Sequence, residues 1–588
     1  MGKNYKIVRE EDLESRRSLP PFDSAQGRGR SGLSLFRAIR TPFASRTADA
    51  AATPPNAFFS KTHFLYIAVI FLVTAFVVFP LGCVLVSPRT KDFVSVFTSS
   101  VWRGAMLNTL IECICSTTLS VLTGYLFAYA VIKADIPFKK IFGFIPILHL
   151  MTPPFVGGLS FILLFGRQGF FTKILLGLDV SLYGFWGLLI AQVLCFFPIA
   201  YLICAQVLRR VPPSLEQAAR AMGASKARIA LTITLPLCAN GILSAALFIA
   251  VSVLSDFGNP MIVAGRFRVL AVEVYTQLTG WVSAGTSCVL GIILVLPSVA
   301  LFVAQNHFMK KQNAKFATVG SKASPLPDKK SSIITRILLF IFCTFISLLI
   351  LAQFASILIG SLQKLWGINT TFTTEHFKMM GKYSRELFNS ITFAFIAAIF
   401  STILASLSVF FVNRTSLPCK KYLDICVQIP AAVPGSLFGL ALSLASNFLH
   451  IHLSAMMIVI AMTVAFMPFS YRIISTVFSQ IKASLDDASC SLGANKIQVL
   501  GTILLPLSKG GIFSSFIYDF VRGVGTISSV IFLVSFKTPL ASIRILNLAE
   551  EGEWGKAAAL ATVLTTLTFG LLLAGRLSLK IQKRSRLN

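Results

Sequence analysis

The sequence predicts an all-α integral membrane protein of about twelve transmembrane helices, arranged as two parallel six-helix repeats. Three observations carry that prediction. Of the 588 residues, 55% are hydrophobic and only 13% charged, well below the roughly 25% charged residues of an ordinary soluble domain. Apolar stretches of roughly 20 residues, the length that crosses a bilayer, recur along the chain. Finally, the polar stretch Gln217 to Pro236 (QAARAMGASKARIALTITLP) returns about 270 residues later as Asp487 to Pro506 (DASCSLGANKIQVLGTILLP). A period of that length means duplicated domains, not a short solenoid repeat.

Residues 1–60 mix Arg pairs, Pro, Ser and Ala without hydrophobic periodicity and are expected to form a disordered tail. The first apolar run starts too late and runs too long for a signal peptide, and MGKNYK lacks the Ser or Thr of a myristoylation signal. Spans are expected at 64–87, 106–132, 141–165, 183–208, 238–257 and 284–306 in the first repeat (61–308). In the second repeat (333–580) they are expected at 333–360, 387–412, 422–448, 453–477, 508–535 and 557–579. A basic linker, 309–332, joins the repeats, and a basic tail, 581–588, follows them. The duplication reaches beyond the polar stretch. Asn108-Thr109-Leu110, a span, Pro137 and Lys139-Lys140 correspond to Asn389-Ser390-Ile391, a span, Pro418 and Lys420-Lys421.

The net charge of +30 could suggest nucleic acid, but binding there needs a clustered basic face on a soluble domain. Here the cations lie between apolar spans, so no nucleic-acid partner is expected. Most of the 53 Lys and Arg residues fall in the tail, the linker, the C-terminus, the Lys-Lys turns and the two polar stretches. The positive-inside rule therefore puts those stretches and both termini in the cytoplasm. The 11 Cys residues form no CxxC or Cys/His cluster and read as small helix-packing side chains.

In each polar stretch, small residues (Ala218, Ala219; Ala488, Ser489) precede Gly223 or Gly493, and Ile233-x-Leu235-Pro236 or Ile503-x-Leu505-Pro506 closes the pattern. Small residues permit close backbone approach, glycine ends or bends a short helix, and Leu-Pro resets the chain where the next span begins. A helix-turn-helix along the membrane face is expected. The paired pattern resembles the EAA motif of inner-membrane permease subunits of bacterial ABC importers with the type 1 transmembrane fold, over about 105–304 and 386–576. That resemblance implies coupling loops that seat in a groove on cytoplasmic ATPase subunits, two in number, and a substrate-binding protein on the outer face. The Glu position of the motif is Gln217 in one copy and Asp487 in the other, with Glu216 and Asp486 one residue earlier.

Met151 to Phe171, Ser255 to Gly280, Ile429 to Leu442 and Thr526 to Ser535 are similar to fused, double-length ferric-iron permeases. Thiamine, phosphonate, polyamine, sulfate and molybdate permeases share parts of this pattern. Pro153-Pro154 and Pro434-Gly435 interrupt apolar spans, as pathway elements or as ordinary kinks. With Asp256, Asn259, Asp519 and Arg522 they make up the candidate pathway. Asp519 and Arg522, three residues apart, are expected to neutralise one another. The six His residues are scattered, His450 and His452 fall in an outer loop, and His149 in a span is expected to meet a neighbouring helix. No metal site, cofactor or catalytic set is expected, and no phosphate-cradling GxxxxGK[ST] loop is present. ATP hydrolysis would fall to a separate subunit. An ion-coupled secondary transporter also fits twelve spans, but gives no reason for two matched loops.

Overall fold

The computed structural model describes residues 61–150, 155–180, 182–280, 283–317, 333–451 and 454–585. The expected tail at 1–60 and Pro153-Pro154 lie outside them, as do His452, most of the linker and the last three residues. The regular secondary structure of the described chain is helical apart from one antiparallel hairpin, Gln363–Leu365 with Asn369–Phe372.

The first repeat runs α1 (Thr62–Val86), α2 (Ser100–Ile132), α3 (Lys139–Leu150), α4 (Phe155–Phe165), α5 (Phe185–Arg210) and α6 (Pro213–Ala221). It continues with α7 (Lys226–Leu254), α8 (Gly258–Val263), α9 (Leu270–Thr279) and α10 (Ala284–Ala317). The second repeats this order as α11 (Ile333–Leu362), α12 (Ser384–Arg414), α13 (Lys420–Ala431), α14 (Gly435–Phe448), α15 (Ser454–Gln480) and α16 (Ser484–Ser491). It closes with α17 (Lys496–Val524), α18 (Ala541–Glu550) and α19 (Trp554–Ser585). Helix α10 reaches Ala317, well into the expected linker, because MKKQNAKFA is made largely of good helix formers.

Ten helices among the described residues are long and apolar enough to cross a bilayer, and a bent pair would make an eleventh. The difference from twelve lies at two expected spans: 422–448 is broken, and 141–165 includes residues outside the described ones. Helices α13 and α14 meet at 113°, where Ala432-Val433-Pro434-Gly435 stops one helix and Pro434 caps the next. Pro146, by contrast, lies within α3. The Tyr201 hydroxyl of α5 reaches the Gly143 carbonyl of α3 (3.5 Å), and the Leu182 amide, just before α5, donates to the Phe165 carbonyl at the end of α4 (3.2 Å). The expected span 508–535 ends at Val524, and Thr526–Val534 forms irregular turns instead.

The opening helix of each repeat packs on the other repeat. Helix α1 lies against α12, α13 and α14: the Tyr66 hydroxyl donates to the Pro418 carbonyl, Thr74 and Tyr422 hydroxyls meet at 3.0 Å, and Tyr66 stacks obliquely on Phe411. Helix α11 lies against α2, α3 and α4, with Phe340 edge-on to Phe142, Phe354 edge-on to His149, and Trp366 Nε1 donating to the Leu163 carbonyl (2.9 Å). Each repeat thus covers apolar surface that the other leaves open, which ties the halves together by burial.

The Asn-Thr and Asn-Ser landmarks have a structural use. Asn108 Nδ2 donates to the Arg268 carbonyl and Thr109 Oγ1 accepts from the Leu270 amide (3.0 and 2.9 Å). Asn389 and Ser390 do the same to Pro539 and Ala541 (3.0 and 2.8 Å). Each pair thereby satisfies the start of the short helix, α9 or α18, that follows the polar loop's span.

Candidate functional site

Both polar stretches fold alike. Helix α6 opens with Pro213 in its first turn and carries Glu216 there, where an acid meets the helix dipole favourably. It ends at Gly223, whose φ of +84° only glycine adopts without strain. The Gly223 amide donates to the Arg220 carbonyl and the Ala224 amide to the Ala219 carbonyl (2.9 and 3.0 Å), a Schellman turn. In α16 the same bonds join Gly493 to Cys490 and Ala494 to Ser489 (3.0 Å each), with Gly493 at φ +89°. A Cβ at either glycine would meet nothing within 4 Å. The glycines are thus needed for the turn, while the space beside them stays open.

The second helix of each loop does not lie separately along the membrane face as expected. Lys226–Ile229 and Lys496–Val499 continue into spans α7 and α17 through π turns at Ala230–Thr234 and Leu500–Leu504. Proline explains the detail. Pro236 and Pro506 have no N–H to give, and the wider turn lets Leu235 and Leu505 donate to Ala230 and Leu500 instead. Leu-Pro therefore re-registers a continuous helix.

Each loop is tied to the span before it by an enclosed ion pair. Lys133, the residue capping α2, lies 2.9 Å from Glu216, with side chains 12% and 6% exposed. The Thr234 hydroxyl donates to the same Glu216 oxygen (2.9 Å). In the second repeat Arg414, ending α12, lies 3.1 Å from Asp486, with side chains 9% and 18% exposed. Arg414 also donates to the carbonyls of Phe478 and Ile481 (2.6 Å each). The acids one residue before the motif position thus hold the loops in place, whereas Gln217 is half-buried and Asp487 exposed. Sequence reasoning did not find Lys133 and Arg414, although both end their spans at corresponding places.

Of the remaining motif side chains, Ala219 is buried and Ala218, Ala488, Pro236 and Pro506 are exposed. Ser489, Ile233, Ile503, Leu235 and Leu505 are half-buried. Each loop also presents two exposed apolar side chains at matching positions, Leu215 and Met222 in one, Leu485 and Leu492 in the other. The signal for these was available: a large apolar residue stands directly before each glycine and seven residues earlier.

The candidate pathway residues divide into separate groups. Gln192 of α5 donates to Asp256 (3.2 Å) and to Glu112 of α2, and accepts from Ser116 (2.7 Å), while Asn259 of α8 donates to Asp256 (2.9 Å). Asp256 and Asn259 therefore come together with Glu112. Gly435 packs so closely on Ser528 that a Cβ there would come within 2.4 Å of its hydroxyl oxygen. Asp519 and Arg522 do not form the expected pair. Asp519 is buried and accepts from Ser470 of α15, which in turn accepts from Ser515. The small residues at this crossing bring hydroxyls nearer to the carboxylate than the long guanidinium on its own helix.

These features define a multi-pass membrane protein built from a duplicated helical unit, with one matched polar loop in each copy. The family described as the binding-protein-dependent transport system inner membrane component matches the chain twice, over residues 120–313 and 416–578. The chain belongs to that family. It is 31% identical over 458 residues to the ferric transport system permease protein FbpB of Actinobacillus pleuropneumoniae, covering 74% of this chain and 64% of that one. The protein of Haemophilus influenzae named putative ferric transport system permease protein FbpB 1 is 32% identical over 422 residues, covering 68% of this chain and 65% of that one. The sulfate transport system permease protein CysT of Salmonella typhimurium is 25% identical over 194 residues, covering 30% of this chain and 70% of its own. The chain thus spans 64% and 65% of the length of the two ferric permeases.

Proposed function

We propose that the protein is the membrane-spanning permease of an ATP-binding-cassette importer, with ferric iron as its cargo. The observation that carries this reading is the pair of loops, each with the same Schellman turn, an ion-pair anchor to the preceding span and two exposed apolar side chains. A protruding apolar surface made twice on one end of a membrane protein suits two copies of a soluble partner. In this reading ATPase subunits bear on α6 and α16 from the cytoplasm of a bacterial cell, whose inner membrane holds the spans with both termini inside. Glu216 and Asp486 pass the displacement to the ends of α2 and α12, and the two repeats alternate access to a central path. An external binding protein delivers cargo at the opposite face. Iron is favoured because the ferric permease relatives align over far more of this chain than the sulfate permease does.

Reconstitution with the ATPase and binding protein in liposomes tests the proposal. ATP-dependent accumulation of radiolabelled ferric iron is expected. Accumulation of sulfate in its place would move the cargo, and uptake driven by an ion gradient without any ATPase would overturn the importer reading. In the Gly223→Trp/Gly493→Trp variant, co-purification of the ATPase should fall while the permease stays folded.

A further inference from the structure

At the loop-bearing end of the first repeat, a groove of about 550 Å³ opens between the end of α2, the start of α3 and the end of α5. Lys139, Lys140 and Arg209 line it together with Phe144, Ile147 and Leu202. Two of its lining residues pack closely: a Cβ at Gly143 would lie 3.2 Å from the Tyr201 hydroxyl. Eight residues of α3 separate Lys139 from Ile147, a depth of about 12 Å at 1.5 Å per residue. Ile141 and Phe144 are exposed on the same helix, as side chains facing hydrocarbon would be.

Two of the three charges are not spent internally. Lys139 pairs with Asp135 at 2.7 Å, both about half exposed, but neither Lys140 nor Arg209 forms an ion pair among the described residues. Cations above an apolar trough match a molecule with a negative head and an alkyl tail, and a basic recess between spans at headgroup depth is a recognised lipid site. A guanidinium and an ammonium converging on one phosphate form charge-assisted hydrogen bonds. We propose that this groove binds one anionic phospholipid, its phosphate on Lys140 and Arg209 and an acyl chain along Phe144 and Ile147.

The second repeat supplies the control. Lys420-Lys421 keep the basic pair, but Ser479 stands where Arg209 would be. The Thr74 hydroxyl of α1 also meets the Tyr422 hydroxyl beside Lys421 (3.0 Å). The site therefore belongs to the first repeat alone.

Native mass spectrometry of the full chain, released from neutral detergent with phosphatidylglycerol or phosphatidylcholine, tests this. Selective retention of one phosphatidylglycerol is expected in the wild type and in K420Q/K421Q. In K140Q/R209Q, two exposed positions, retention should drop roughly thirty-fold, with Arg209→Lys restoring most of it. Equal retention of phosphatidylcholine would overturn the proposal, as would K140Q/R209Q keeping its lipid at an unchanged unfolding temperature. Displacement of the lipid by millimolar inorganic phosphate would also overturn it, by pointing to a site for free anions.

Discussion

In the first loop one carboxylate carries the anchor: Glu216 is almost fully enclosed and receives both Lys133 and Thr234. In the second loop the anchor is spread. Asp486 is shorter and more exposed, and Arg414 divides its donors between that carboxylate and two backbone carbonyls. The position of Thr234 is taken there by Leu504. The loops share a backbone plan but differ in what a side-chain change can remove, since no substitution deletes the Phe478 and Ile481 carbonyls. Gln217 opposite Asp487 adds a difference in charge on the outward side.

The largest effect is expected from Glu216→Leu. Removing one partner of an enclosed ion pair costs about 3–5 kcal/mol, because the remaining charge is left uncompensated. Hydrogen exchange over 213–234 should rise steeply, and Lys133→Met/Glu216→Leu should recover much of the loss. Asp486→Leu should loosen 484–504 distinctly less. Equal losses in the two loops would break the contrast drawn between them.

A change that the two loops should feel alike comes next. Gly223→Ala and Gly493→Ala each place a Cβ in open space but at positive φ, a strain of about 1–2 kcal/mol. Thermal unfolding of the detergent-solubilised protein should fall by similar amounts in the two variants. A large disparity would mean that something other than backbone conformation separates the turns.

The smallest effect is the most specific. Thr234→Val removes the hydroxyl from Glu216 and makes the first loop resemble the second, at a cost of about 1 kcal/mol. Its exchange should move toward that of 484–504 without reaching it. No change at all would show that Lys133 alone sets the anchor.

Much of the architecture was legible because its signals are local. Apolar length marked ten of the spans, and recurrence of a glycine and an Ile-x-Leu-Pro at fixed spacing exposed both the duplication and the family. Glycine at positive φ and proline at a helix start are constraints that one residue imposes on its own backbone, so they can be read without a fold. Other features depend on what a neighbouring segment does. Apolar periodicity cannot distinguish a continuous span from one broken by 113° at Pro434-Gly435, since both halves are equally apolar. Asp519 and Arg522 have the spacing of a pair, yet the crossing of α15 brought Ser470 closer.

Lys133 and Glu216 lie 83 residues apart, and nothing local to either predicts the other. The sequence by itself determined that the chain crosses a membrane many times, in two copies of one unit, with a glycine-turned loop in each. Only the tertiary structure decided which acids anchor those loops, how the opening helices exchange between repeats, and where Gln192 gathers Glu112 and Asp256. The physical reason is that hydrophobicity and backbone conformation are properties of a stretch of chain, whereas a buried charge or amide takes its partner from whatever packing places beside it.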